Sequence, residues 1–141
     1  MRKIVINGRT IGSGYAPYVI AELSANHNGS IDQALKIIDA AVAAGADAVK
    51  LQTYRPDTIT LDADGPDFRI AGGLWDGRRL YDLYDWAHTP SDWHDALLAH
   101  AKARGITIFS SPFDTTAVDL LEELGAPAYK IHSFPNTTLF R

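Results

Sequence analysis

Short apolar runs that end in a polar residue alternate with helical patterns along this chain. The apolar runs are residues 18–23, 47–52, 106–110 and 128–131, and we expect each of them to form a β-strand. The segments between them place apolar residues at helical spacing, most clearly over 31–42. Strands that alternate with helices predict a parallel sheet built from βα units.

The expected helices carry their own boundary signals. Ser30 and Gln33 form a capping box before the first helix, and Asp114 is the expected cap of the last one. Thr89 is the expected N-cap of another helix, with Pro90 at its first position. Three helices are expected to end at a glycine, at positions 45, 105 and 125.

Three segments fall outside this alternation. Residues 3–6 and 10–11 flank an Asn-Gly turn, which predicts a small N-terminal β-hairpin that plugs or covers the barrel described below. Residues 53–78 are rich in Asp, Gly and Pro and predict a long loop on the functional face. Residues 80–87 predict a short helix.

A polar residue at the end of each successive strand is the arrangement of a TIM (β/α)8 barrel, whose active site lies at that edge. The chain has 141 residues and about four βα units, whereas a complete barrel takes roughly 250 residues. Nothing after residue 131 continues the pattern, and Pro135 disfavours a helix there. We therefore expect residues 1–141 to be one α/β domain, the N-terminal part of a barrel, preceded by the hairpin.

Composition restricts the class of protein. Hydrophobic residues make up 46% and charged residues 21%, which is typical of a soluble globular domain. The net charge of −4 disfavours nucleic acid or an anionic membrane as partner. The absence of cysteine excludes disulfides and thiolate metal sites. No segment is long and apolar enough for a signal peptide or a membrane span, so we expect a cytoplasmic protein.

The first two strands end in residues suited to catalysis. A buried strand has no structural use for an unpaired charge, whose desolvation costs several kcal/mol. Glu22 is a candidate general base, and the adjacent Asn26 and His27 favour that role over an ordinary surface carboxylate. Lys50 and Gln52 share one side of the second strand. An ammonium suits a phosphate or carboxylate, and an amide suits a sugar hydroxyl or acyl group.

The later strands repeat this arrangement. Lys130, with Ser133 after it, would complete an anion pocket with the lysine of the second strand, although lysine at a strand end also extends readily into solvent. Ser110 leads the third strand into a helix N-terminus, where hydroxyl and amide groups favour an anion. Ordinary capping by Asp114 explains the same residues.

The histidines do not form a metal site. His88, His94 and His100 are six residues apart, so a helix does not bring them to one face. We expect them to be half-exposed helix residues and predict no metal ligand in this chain.

Several motifs resemble the sialic acid synthase family. Residues 21–30 (AELSANHNGS) and 44–54 (AGADAVKLQTY) carry the resemblance to the family as a whole. Residues 72–76 (GGLWD), 80–84 (LYDLY) and 109–113 (FSSPF) are most similar to its pseudaminic branch. The resemblance extends over most of the sequence.

The resemblance implies condensation of phosphoenolpyruvate with an open-chain acylated amino sugar, which gives a nonulosonic acid and phosphate. In the pseudaminic branch the sugar is a 2,4-diacetamido-2,4,6-trideoxy-altrose, and N-acetylneuraminate or legionaminate synthesis is the alternative. By resemblance, Glu22 is the acid/base carboxylate and Gln52 a sugar contact. Lys50, Lys130 and Ser133 are phosphoenolpyruvate ligands by the same resemblance.

The resemblance also implies parts that this sequence does not contain. Relatives bind a divalent metal, Mn²⁺ or Mg²⁺, through histidines of later strands, and form a domain-swapped homodimer through an antifreeze-like (SAF) domain. They carry a small residue where this chain has His132 and an acidic one where it has Pro135. We therefore expect a truncated chain that is inactive alone. A non-catalytic truncated product remains the alternative to an enzyme.

Overall fold

The computed structural model describes residues 3–131. The expectations for residues 132–141, Ser133 among them, lie outside the described residues. The strands are β1 (Ile4–Ile6), β2 (Arg9–Ile11), β3 (Ile20–Glu22), β4 (Ala48–Thr53) and β5 (Thr107–Pro112). The helices are α1 (Ile31–Ala43), α2 (Pro56–Ile59), α3 (Leu80–Ala87), α4 (His94–Ala103) and α5 (Thr115–Glu123), and two 3₁₀ turns cover Pro66–Phe68 and Ser91–Trp93.

Strands β3, β4 and β5 form a parallel sheet in that order, as the alternation of strands and helices predicts. The register pairs Glu22 with Lys50 and Gln52 with Ser111. The fourth predicted strand contributes one parallel bridge within the described residues, between Ser110 and Tyr129. The polar carboxyl ends of the strands therefore lie side by side at one edge of the sheet.

Helices α1 and α4 cover one side of this sheet, which we call the helix-facing side. The Ser30 hydroxyl accepts a hydrogen bond from the Gln33 amide at 3.3 Å, so α1 begins at the predicted cap. Burying each large aliphatic side chain contributes about 1.5–3 kcal/mol, which makes this layer the main stabilising contact of the described fold. The buried core consists of Leu23, Ala34, Ile38, Ala41, Val49, Leu51, Leu97, Ala101, Ile106 and Ile108.

The β1–β2 hairpin lies at the amino ends of the sheet strands. Arg9 forms an ion pair with Asp47, and the second oxygen of Asp47 accepts a hydrogen bond from the Val19 amide at 2.7 Å. Asn7 in the hairpin turn donates to the Thr107 hydroxyl at 3.3 Å. The hairpin therefore lies at the amino-end edge of the sheet, where a plug would lie. The polar strand ends, which a lid would cover, are at the opposite edge.

Two local expectations need correction. Residues 53–78 are not a bare loop, since they contain α2 and a 3₁₀ turn. Thr89 does not cap a helix: Pro90 precedes a 3₁₀ turn, and α4 begins at His94. The Thr89 side chain is buried instead, because it packs beside His27 in the tertiary structure.

Asp114 caps α5 as predicted, and this makes stability depend on pH. Partial burial acts to raise the pKa of Asp114, but hydrogen bonds from Thr116 and the Ala117 amide outweigh it and hold the pKa below its usual value. A carboxylate with a lowered folded pKa stabilises the protein above its unfolded pKa, and the stabilisation disappears as pH falls through the folded pKa.

We expect Asp114→Ala to lower the free energy of unfolding by about 1 kcal/mol at pH 7. The cost should shrink at a pH below the folded pKa of Asp114, where the wild-type carboxyl is protonated. Urea unfolding at both pH values measures this, with Asp114→Asn as the variant that keeps a neutral acceptor. Equal destabilisation by Asp114→Ala at both pH values would refute the proposed ionic contribution.

Candidate active site

The second side of the sheet, which we call the inner face, carries the predicted chemistry at its carboxyl edge. Residues paired in a parallel register share a face, so Glu22 and Lys50 lie together on it and Gln52 lies beside Ser111. Ile20 on the same face is 44% exposed. The inner face is therefore open to solvent at β3, whereas Ser111 at the end of β5 is buried.

Glu22 and Lys50 form an ion pair across β3 and β4. The Lys50 side chain is only 15% exposed, whereas that of Glu22 is 43% exposed. Within residues 3–131, Glu22 is the carboxylate that pairs with Lys50. An ammonium has three donors, so the pair leaves Lys50 able to bind an additional anionic oxygen.

Gln52 is oriented by a serine from the preceding strand end. The Ser24 hydroxyl donates to the Gln52 side-chain oxygen at 3.1 Å. Ser24 adopts a left-handed backbone conformation with φ of 47°, which is uncommon for a residue other than glycine. Because the amide oxygen is engaged, the Gln52 amide nitrogen is the group left to donate to a ligand.

Of the two adjacent serines at the end of β5, the structure brings Ser111 to this face and not Ser110. Ser110 is paired with Leu51 and therefore points to the helix-facing side, where its hydroxyl lies 2.6 Å from that of Thr53. Ser111 is paired with Gln52. The placement of Ser110 in the site is corrected, because the β4–β5 register puts its side chain on the opposite side. The sequence alone could not choose between the two adjacent serines, because the register between β4 and β5 decides which of them faces the site.

Asn26 and His27 belong to the turn after β3. The Asn26 amide donates to the Leu23 carbonyl at 2.9 Å. His27 is buried, its Nδ1 accepts from the Gly29 amide at 3.1 Å, and its ring packs edge-on against Trp93. Burial, with a smaller contribution from His88, lowers the pKa of His27. These contacts give both residues a role in shaping the turn and do not bring the His27 ring to the inner face.

Lys130 follows the bridge that continues the sheet beyond β5. Its amide donates to the Ser110 carbonyl at 2.9 Å. The preceding Tyr129 is paired with Ser110 and donates from its hydroxyl to Glu122 at 2.5 Å, which directs Tyr129 to the helix-facing side. Alternation along the strand therefore directs Lys130 to the inner face. Its predicted partner Ser133 lies outside the described residues.

Two grooves lie away from the inner face. The larger, of about 520 Å³, is at the amino end of β5 and is lined by Asn7, Lys102 and Thr107 among others. The smaller, of about 310 Å³, lies between Thr53, Thr89 and Asp114. Neither includes Glu22 or Lys50, so neither forms part of the candidate site.

Residues 3–131 contain no group of three or more His, Asp or Glu side chains arranged to hold a metal ion. In the same residues, no helix is long and apolar enough to cross a membrane.

Two pseudaminic acid synthases are similar to most of this chain. Pseudaminic acid synthase of Campylobacter jejuni serotype O:2 is 55% identical over 117 residues, which are 83% of this chain and 34% of that protein. Pseudaminic acid synthase of Helicobacter pylori is 48% identical over 118 residues, 84% of this chain and 35% of that protein. The chain thus spans about a third of the length of the curated relatives it matches.

Solved structures share the architecture. An N-acetylneuraminic acid synthetase from Leptospira borgpetersenii superposes with a TM-score of 0.75 at 25% identity, over 92% of this chain and 41% of that one. The spore coat polysaccharide biosynthesis protein SpsE of Bacillus subtilis gives 0.69 at 31% identity, over 92% and 33%. These likenesses confirm the predicted partial TIM-barrel fold. The profile of the NeuB family matches residues 37–140, and with the relatives above this shows that the chain belongs to the NeuB family.

Proposed function

We propose that the inner face of β3, β4 and β5 is the phosphoenolpyruvate-binding part of a nonulosonic acid synthase. The observation that carries this proposal is the pairing of Glu22 with Lys50 at the carboxyl edge of a parallel sheet in a NeuB-family chain. A carboxylate and an ammonium held together there provide an acid/base group and an anion ligand in one place.

The reaction requires binding of a trianionic substrate and management of protons. The enol carbon of phosphoenolpyruvate attacks the sugar aldehyde, whose oxygen takes a proton from solvent and becomes a hydroxyl. Water then adds to the resulting cationic carbon. Phosphate leaves with its bridging oxygen and takes the proton of the newly added hydroxyl, which gives the 2-keto acid. Lys50 and Lys130 bind the phosphate and carboxylate oxygens, and Glu22 accepts the proton of the attacking water.

The neutral residues of the site help to select and orient the sugar. The Gln52 amide nitrogen donates to a hydroxyl or acyl oxygen of the sugar, because its own oxygen is held by Ser24. Ser111 is buried beside Gln52 and supports that part of the site. A divalent metal, as the resemblance implies, would polarise the aldehyde oxygen. Residues 3–131 do not offer a ligand set for one, so no step is assigned to it.

The pseudaminic type of acceptor is favoured over its alternatives by similarity. Identity to the two pseudaminic acid synthases is 48–55%, whereas identity to the N,N'-diacetyllegionaminic acid synthase of Campylobacter jejuni is 35%. We therefore propose the 2,4-diacetamido-2,4,6-trideoxy-altrose as substrate. Legionaminate or N-acetylneuraminate synthesis is the second candidate.

A chimera tests the proposed function. The matched segment of this chain replaces the corresponding 117 residues of the Campylobacter jejuni pseudaminic acid synthase. With phosphoenolpyruvate and Mn²⁺, we expect phosphate release that depends on the altrose-type acceptor and exceeds release with N-acetylmannosamine by about 100-fold. A folded chimera that prefers N-acetylmannosamine would contradict the acceptor assignment, and one that binds no phosphoenolpyruvate would contradict the proposed site.

We also expect the 141-residue chain alone to release little phosphate under the same conditions. Its inner face is open, with Ile20 44% exposed and Glu22 43% exposed, and electrostatic catalysis depends on excluding water. The chimera is the matched positive control in the same assay. Acceptor-dependent release by the chain at a rate close to that of the chimera would show that this open face suffices.

A further inference from the structure

A chain of three buried polar side chains lies directly behind the candidate site, on the helix-facing side. Ser110, Thr53 and His94 are all buried, at 0%, 4% and 0% exposure. The Ser110 and Thr53 hydroxyl oxygens are 2.6 Å apart, and Thr53 is 2.8 Å from His94 Nε2. His94 was expected to be half-exposed, and its burial at the start of α4 corrects that expectation.

The hydrogen bonds among Ser110, Thr53 and His94 all run in one direction. His94 Nδ1 lies 3.1 Å from the Pro90 carbonyl, which only accepts, so Nδ1 carries a proton. Burial lowers the pKa of His94 and outweighs the opposing contributions of Pro90, Ser91 and Asp92, so the ring is neutral and Nε2 accepts. Thr53 therefore donates to His94, and Ser110 donates to Thr53. Each hydroxyl proton in this dry environment has a partner.

The hydrogen-bonded side chains of Ser110, Thr53 and His94 join the segments that carry the proposed substrate-binding residues. Thr53 follows Gln52 in β4, and Ser110 precedes Ser111 in β5. In each strand, therefore, one of two adjacent residues belongs to the three buried side chains and the other lies on the inner face. The Ser110 carbonyl also accepts from the Lys130 amide at 2.9 Å. The side-chain contacts thus tie together the carboxyl ends of β4 and β5, and the backbone hydrogen bond of Ser110 attaches the segment at Lys130 to them.

We propose that the His94–Thr53–Ser110 chain is a positioning device for the phosphoenolpyruvate site. It fixes the spacing of Gln52, Ser111 and Lys130 by fastening α4 to the strand ends from behind. None of its three side chains reaches the inner face, so all three are positioning residues. The inference rests on the proposed function, because it names what holds that site in shape.

Two kinds of variant in the full 141-residue chain test the proposal. Thr53→Val keeps the shape of the side chain and removes the hydroxyl, and His94→Leu removes the acceptor. We expect each to raise the phosphoenolpyruvate dissociation constant by roughly tenfold, measured by calorimetry below the unfolding temperature of every variant. His94→Gln keeps an acceptor near the position of Nε2 and should restore most of the affinity. Thr89→Val, a buried threonine outside the chain of three, is the matched control.

Amide hydrogen exchange at Ser111 and Lys130 gives a second measurement that needs no ligand. Faster exchange at these two amides in Thr53→Val, but not in Thr89→Val, supports the positioning role. A folded Thr53→Val with unchanged phosphoenolpyruvate affinity and unchanged exchange would overturn it. If the wild-type protein binds no phosphoenolpyruvate, the proposed function fails. The exchange data alone then decide whether the His94–Thr53–Ser110 side chains hold Lys130 in place.

Discussion

Lys50→Met is expected to weaken phosphoenolpyruvate binding to the chain by about 100-fold. The Lys50 side chain is largely buried and is the described cation that pairs with Glu22 on the inner face. Losing a hydrogen bond to a charged group costs about 1.5–3 kcal/mol, and each tenfold change corresponds to about 1.4 kcal/mol. The loss should be severe because Glu22, left without its counter-charge, would then repel the substrate anion.

Calorimetry of the wild-type and variant chains measures this change directly. Lys102→Met is the matched control, since Lys102 lines the groove at the amino end of β5 and lies outside the candidate site. The control should bind phosphoenolpyruvate as the wild type does. If Lys50→Met also binds at wild-type affinity while remaining folded, Lys50 is not a phosphoenolpyruvate ligand and the proposed site is wrong.

Glu22→Gln is expected to lower turnover of the chimera by about 10²–10⁴-fold, the usual contribution of a general acid or base. Phosphoenolpyruvate affinity should be unchanged or slightly increased, because the neutral amide frees Lys50 from its carboxylate partner. A large loss of kcat without loss of affinity separates proton transfer from binding. Steady-state phosphate release and calorimetry on the same preparation measure the two quantities.

Asp39→Asn provides the matched control for this substitution. Asp39 is also a paired carboxylate, with Arg104 at 2.9 Å and His100 at 2.8 Å, but it lies on α1 away from the inner face. Its variant should retain wild-type turnover. A Glu22→Gln chimera with full kcat would exclude Glu22 as the acid/base group, and one that loses affinity instead would make Glu22 a binding residue.

The elements set by local chemistry were predictable from the sequence. The Asn-Gly turn of the hairpin places Asn7 and Gly8 at φ of 48° and 81°, a conformation that these two residue types tolerate. Ser30 caps α1, and α3 covers the predicted residues 80–87. In each case the signal lies within a few residues of the feature, so no knowledge of tertiary contacts was needed.

The features that depend on tertiary contacts were not predictable. Whether Ser110 or Ser111 faces the site depends on the register between β4 and β5, which neither strand specifies alone. The burial of His94 depends on Thr53, a residue 41 positions earlier that accommodates its ring nitrogen. Spacing among the histidines carried no information about that partner. Lys50 and Gln52 were identified correctly as neighbours because the period of two lies within a single strand.

The most direct test of the account is a phosphoenolpyruvate titration of the ¹⁵N-labelled chain followed by NMR. If the inner face binds the substrate, the largest amide shift changes will map to Lys50, Gln52 and Ser111 at the carboxyl edge of the sheet. If the changes instead cluster around Asn7 and Lys102 in the groove at the opposite edge, the substrate binds elsewhere and the assignment of the inner face is contradicted.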